Sequence, residues 1–159
     1  MEEPGLTLPD PKFYSIISTS FYDKFIAHVK HFSSIYFFSL NEIRCADQIN
    51  EAYRRSKNIS NCKINERGAY FLCLLTGTPR IDLALEKSGL KKETKILGLI
   101  SEYPSEIEHF EDSFKGLIAS AQVNLKKRCT GEDIKIFTYM TMADFRLHNA
   151  SRMPVHTLD

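Results

Sequence analysis

Tyr70-Phe71-Leu72-Cys73-Leu74-Leu75 is a run of six apolar residues that reaches Gly77 after a single threonine. With Asn65 as its cap, the segment reads as a helix that is apolar nearly all round, and such a helix has no face to give to water. Other elements must bury it, and Gly77 is its natural stop. Within this run Cys73 reads as a small core residue, because a thiol among leucines and aromatics has nothing to make it reactive.

The elements that do the burying are legible to differing degrees. Phe13 to Ser18 and Ile35 to Leu40 are short, aromatic and β-branched, which predicts strands; Ile35-Tyr36-Phe37-Phe38 is the central one. Phe21 to Phe32 fits either an amphipathic helix or strand plus loop, with strand or loop favoured at its ends. Ser39-x-x-Glu42 has capping-box spacing, and Ile43, Ala46, Ile49 and Tyr53 recur at helical steps, so a helix is expected from there to about Arg55. Thr78-Pro79 reads as N-cap and first-turn proline of a helix over Ile81, Ala84 and Leu85, closed by Lys87 and Gly89. Ile96 to Ile100 reads as a strand, and the acidic run Glu102 to Asp112 as a solvated helix face. Leu117 to Leu125 is expected to be a strand or the end of that helix. Thr130-x-x-Asp133 starts a stretch to Met142, followed by a last helix to Met153 that Pro154 stops.

These elements predict an α/β (α+β) chain with one mixed sheet of about four strands flanked by helices. A loose arm over residues 1–12, which holds Pro4, Gly5, Pro9 and Pro11, should precede a single globular domain over 13–159. The length of 159 residues suffices for a core without staples. No apolar run is long enough for a membrane span, and the acidic start Met1-Glu2-Glu3 is unlike a secretory leader, so the expected address is the cytoplasm. No C-x-x-C pair occurs among Cys45, Cys62, Cys73 and Cys129, which are expected to be reduced thiols.

Catalytic patterns are missing from the sequence. It has no H-E-x-x-H, no G-x-S-x-G and no glycine-rich phosphate loop, and His28 and His31 would share a face only if their segment were helical. No metal, no cofactor and no catalytic residue is expected. Charge is more informative. The total is +1, yet positions 50–95 carry +5 and the remainder −4. Whole-chain coating of nucleic acid is thereby excluded, and a local patch is not. Arg54, Arg55, Lys57 and Asn58 at the end of a predicted helix, with Lys63 and Arg80, are the candidate phosphate contacts; part of that clustering also suits the negative end of a helix.

Residues from about Asn41 to Ile100 resemble the kinase-binding subunit of the KEOPS (EKC) tRNA-modification complex, the TPRKB-type family. The resemblance rests on Arg54-Arg55-Ser56-Lys57-Asn58-Ile59-Ser60, then a buried helix from Glu66 to Gly77, then Ile81-x-x-Ala84-Leu85 closing on Gly89. Ser151-Arg152-Met153 with Thr157 is similar to the family's last helix in animal members. The family often has Arg-Gln where this chain has Pro79-Arg80, and the acidic stretch 102–112 has no counterpart in it. The resemblance implies a non-catalytic subunit that docks on the N-lobe of a small atypical kinase/ATPase, supports synthesis of threonylcarbamoyl-adenosine in tRNA, and grips the tRNA 3′ end as archaeal members do. Arg152 and Met153 would then belong to the kinase interface. Two other readings stay open: a thiol hydrolase or transferase pairing Cys62 or Cys129 with a histidine, and a homodimeric interaction module that does not bind RNA.

Overall fold

The computed structural model describes residues 9–58, 62 and 66–149. The chain divides into two compact units, one made of residues up to Leu40 together with Leu90–Asn124, the other of Asn41–Gly89 together with Leu125 onward.

The first unit holds the strands β1 (Lys12–Ile16), β2 (Tyr36–Ser39), β3 (Ile96–Ile100) and β4 (Ile118–Ser120), with helices α1 (Phe21–His28) and α5 (Pro104–Ser113). The strands form one sheet in the order β2-β3-β1-β4. Every ladder is antiparallel, so the α+β class stands while the expected mixture of parallel and antiparallel pairs does not. Taken without the segment between β2 and β3, the order of elements is β-α-β-β-α-β, the ferredoxin-like arrangement. Lys12 already pairs with Leu99, so the sheet begins inside the expected arm; residues 1–8 lie outside the described ones.

Period-two alternation sorts the strands. Tyr14 of β1 and Leu97 and Leu99 of β3 join Phe21, Phe25, Phe32, Phe110 and Phe114 in the core of this unit. Between the two leucines, Gly98 projects to the other face, opposite Phe13 on one neighbour and Phe38 on the other. A Cβ on Gly98 would stand 2.5 Å from the Phe38 ring, so the fully buried Phe38 occupies space that only a glycine leaves open. Tyr14 Oη donates to Glu111 Oε2 at 2.5 Å, and burial, followed by this bond, holds the phenol well above its ordinary pKa.

Phe21 to Phe32 is helical throughout, as α1 followed by a 3-10 turn over Val29–Phe32, where strand or loop was expected at the ends. Aromatic residues favour strands when neighbours decide. Here Phe21 and Phe25, four apart, stack at 5.5 Å on the buried side of one helix, and that packing outweighs propensity.

The second unit is helical: α2 (Ala46–Ser56), α3 (Arg67–Thr76), α4 (Ile81–Ser88) and α6 (Lys135–Asn149), with a 3-10 turn over Gly131–Ile134. α3 packs against the other three, as the apolar run Tyr70–Leu75 requires, and each of those six side chains is buried. Gly77 ends α3 in the left-handed conformation at φ 73°, and its N–H bonds back to Leu74. The expected capping box fails: Ser39 closes β2, Glu42 is left-handed at φ 73°, and α2 starts only after Cys45. Gln48 organises that entry instead. Its buried amide accepts from Arg44 N–H at 2.7 Å and donates to the carbonyls of Glu42 and Leu75 at 3.0 and 2.9 Å.

Two further expectations are corrected. Residues 135–149 form one uninterrupted helix, with no junction near Met142. Cys45 and Cys129 are not reduced thiols but a disulfide across a sequence separation of 84, leaving Cys62 and Cys73 free. Spacing along the chain carries no information about a pair brought together by folding.

Candidate functional site

The second unit collects nearly all residues singled out from the sequence, and α3 provides the ruler that places them. Gln48 at the start of α2 bonds Leu75 near the Gly77 end of α3, and Arg55 near the end of α2 shares Asp144 with Tyr70 in the first turn of α3. So Arg54, Arg55 and Lys57 belong to the Arg67 end of α3, whereas Arg80 follows its Gly77 end. Ten residues of helix separate those ends by roughly 15 Å. The candidate phosphate contacts are therefore two places. α6 runs antiparallel to α3: Tyr139 is packed on Gly77, and Asp144 and His148 meet Tyr70.

Arg54 and Arg55 both engage Glu51 one turn back on α2. Arg54 forms a two-pronged pair with it, and Arg55 Nε donates to Glu51 Oε2 at 2.7 Å while its Nη1 lies 3.8 Å from Asp144 Oδ2. Partial burial pulls the Glu51 carboxyl upward in pKa, but the hydrogen bonds from the two guanidiniums win and hold it below the ordinary carboxylate range. The same bond raises Arg54. Lys57 Nζ lies 5.0 Å from the centre of the Tyr53 ring, and Asn58 is exposed beside it. Arg80, exposed, is clasped to Asp82 at 2.7 Å, which raises the guanidinium and lowers the carboxylate. Exposed pairs of this kind are weak, so phosphate oxygens could exchange with these carboxylates at small cost. Lys63, Arg152 and Met153 lie outside the described residues.

Behind the Arg54 cluster is a half-buried polar knot. Tyr70 Oη donates to Asp144 Oδ1 at 2.5 Å and lies 2.7 Å from His148 Nε2, which is itself 3.2 Å from Asp144 Oδ1. Burial, then the Asp144 bond, pushes the Tyr70 phenol far above its usual range. The knot ties α6 to α2 and α3. Sequence reasoning missed it because the partners are 74 and 78 positions apart.

α6 is apolar on two sides. Met140, Ala143 and Leu147 are buried at the helical spacing of a core face, whereas Tyr139, Met142 and Phe145 are 53–56% exposed on the outward side. A helix apolar on both sides has more such surface than its own unit covers. The signal was present in the sequence as Ile134 to Met142, but an apolar run does not reveal which residues a partner would take.

Of the two thiols in the alternative reading, Cys129 is tied up in the disulfide, whereas Cys62 keeps its thiol and is half-buried. Cys73 is fully buried, its thiol pushed up to about 12 by burial and then by the nearby Cys62 and Asp82. In the first unit, Lys24, His28, His31, Phe32, His109, Ser113 and Phe114 line a shallow pocket of about 190 Å³. His28 and His31 stand edge to face at 5.9 Å, and among the described residues no cluster of three or more side chains could hold a metal ion. Among them, too, no helix is long and apolar enough to cross a membrane. No known family model matches this chain, and no curated protein is significantly similar to it.

Proposed function

We propose that the chain is a non-catalytic accessory subunit of a KEOPS-like complex, binding a small atypical kinase/ATPase and the 3′ end of tRNA in support of threonylcarbamoyl-adenosine synthesis. The outward face of α6 carries this reading. Aromatic and methionine side chains spaced three apart on one rigid helix are what a protein interface core needs, since such cores gain aromatics and Met and lose charge. The kinase-contacting surface would take in Tyr139, Met142 and Phe145, while Arg152 and Met153 are assigned to it by the resemblance alone. The Arg54, Arg55, Lys57 and Asn58 turn with Arg80 supplies the RNA contacts, and the resemblance over Asn41–Ile100 supplies the identity of both partners.

The complex is proposed to work in the cytoplasm. That address and the Cys45–Cys129 bond pull against each other, because cytosolic disulfides are rare and mostly transient or redox-sensing. Counting free thiols on protein trapped in acid from its native source decides between them.

Co-purification from the native source tests the whole reading: a small kinase and a larger ATP-dependent transferase should accompany the chain. Met142→Asp with Phe145→Asp should abolish kinase recovery while the helical circular-dichroism signal stays unchanged. Recovery of neither partner by the parent chain would sink the proposal.

A further inference from the structure

The start of α2 carries a cationic surface assembled from two distant segments. Cys45, on which α2 begins, is bonded to Cys129. Beside that bond Ala46 N–H donates to the Lys126 carbonyl at 2.7 Å and Asp47 N–H to the Lys127 carbonyl at 2.9 Å. One covalent tie and two main-chain hydrogen bonds thus fix Arg44 next to Lys126, Lys127 and Arg128. All four are exposed. Lys126 is paired with Asp133 at 3.0 Å, but Arg44, Lys127 and Arg128 have no carboxylate within ion-pair distance among the described residues.

That separates them from the arginines singled out by charge counting. A phosphate approaching Arg54, Arg55 or Arg80 must displace Glu51 or Asp82; one approaching Arg44 or Arg128 displaces only water. Besides Asp133, held by Lys126, Glu42 and Asp47 are the carboxylates adjacent in sequence to Arg44 and Cys45, Asp47 lying in the first turn of α2 where the positive end of the helix favours it.

We propose that Arg44, Lys127 and Arg128, clamped in place by the Cys45–Cys129 bond, form a contact surface for the phosphate backbone of RNA. It is separate from the Arg54 cluster, which lies at the opposite end of α2, about 16 Å away along an 11-residue helix. The assignment rests on the RNA-binding half of the proposed function and extends it. Backbone recognition by Arg and Lys needs cations held in position and no apolar anchor. None of the large exposed hydrophobic side chains comes from 41–47 or 125–130, whereas a protein partner's interface core would call for them and for fewer lysines. Two guanidiniums can each grip phosphate oxygens in a two-pronged fashion, and Lys127 adds a point charge.

The test uses the full-length oxidised protein with fluorescently labelled tRNA at several salt concentrations. Arg44→Glu/Lys127→Glu/Arg128→Glu should weaken binding at least tenfold and flatten the dependence of log affinity on log salt by about 2, as expected for three lost contacts to a single strand at ~0.7 each. The variant Arg44→Gln/Lys127→Gln/Arg128→Gln adds no repulsion; it should lose at least fivefold and guards against misfolding of the first. Unchanged affinity in the Gln variant, with a parent that binds, overturns this surface alone. A parent that fails to bind tRNA overturns the RNA half of the proposed function and this surface with it. A parent that binds poly-glutamate as tightly as tRNA overturns the RNA assignment in favour of an acidic protein.

Discussion

Replacing Gly77 by alanine perturbs two things that can be weighed separately. Gly77 sits at φ 73°, where a side chain costs about 1–2 kcal/mol because its Cβ crowds the following carbonyl. A Cβ there would also stand 2.7 Å from Tyr139 Cβ, closer than carbon atoms tolerate. Overpacking of that kind costs about 1–3 kcal/mol when the neighbour is held by a helix on each side. The sum is roughly 2–5 kcal/mol. For a chain of this size that lowers the melting temperature by roughly 4–20 °C, measurable by calorimetry or urea unfolding. Tyr139→Gly removes the clashing atom, so in that background Gly77→Ala should cost only the conformational share. The double-mutant cycle should give a coupling of about 1–3 kcal/mol. A loss below about 0.5 kcal/mol for Gly77→Ala would refute the close approach of α6 to the end of α3, and a large loss with no coupling would refute Tyr139 as its cause.

Three further outcomes follow from the same geometry. Unfolded without reductant, the protein should show two free thiols, Cys62 and Cys73, and Cys129→Ser should destabilise it by about 2–5 kcal/mol in non-reducing buffer; four thiols would remove the disulfide. The Glu51 carboxyl is lower in the folded chain than in the unfolded one, so its contribution is complete above the ordinary carboxylate range and is lost as pH falls through the folded value. Glu51→Gln should flatten the acid limb of a stability–pH curve, and an unchanged limb argues against the shared Arg54–Arg55 pairing. Tyr14 and Tyr70 are raised, so their contribution is complete below pH 10 and is lost above it. Tyr14→Phe with Tyr70→Phe should reduce alkaline destabilisation beyond pH 10, as followed by the phenolate absorbance during unfolding.

What could be read along the chain was whatever neighbours in sequence decide. β3 at Ile96–Ile100 and the stop at Gly77 agree with their expected positions, because β-branched character and a left-handed helix end are local properties. Phe21 to Phe32 stayed open between helix and strand along the chain, because its phenylalanines are strand formers until tilted packing against Phe114, 5.2 Å from Phe21, gives them a helical reason. The Ser39-x-x-Glu42 spacing failed because Ser39 is committed to the sheet, and Gln48, a residue no capping rule singles out, orders the entry to α2. Charge counting found Arg54, Arg55 and Arg80 but not that the first two share Glu51 and the third holds Asp82. It passed over Arg44 and Arg128 because their cluster exists only once Cys45 and Cys129 meet.

The outward face of α6 sets a limit on what it can do alone. Tyr139, Met142 and Phe145 are each already about half covered. Full burial of such a side chain gains about 1.5–3 kcal/mol, so completing it gains about 1 kcal/mol apiece, ~3 kcal/mol for the three. Association costs at least about 4 kcal/mol in lost motional freedom. The helix face is therefore an anchor that cannot hold a partner unaided, and a lasting complex needs contacts beyond it. Truncating all three to alanine should weaken binding of the proposed kinase partner by roughly a hundredfold, in titration calorimetry, through faster dissociation. A peptide of residues 135–149 alone should not bind measurably even when it is helical. Tight binding by that peptide would mean the rest of the unit serves only to present α6, and a triple-alanine chain that still binds like the parent would move the interface off this helix altogether.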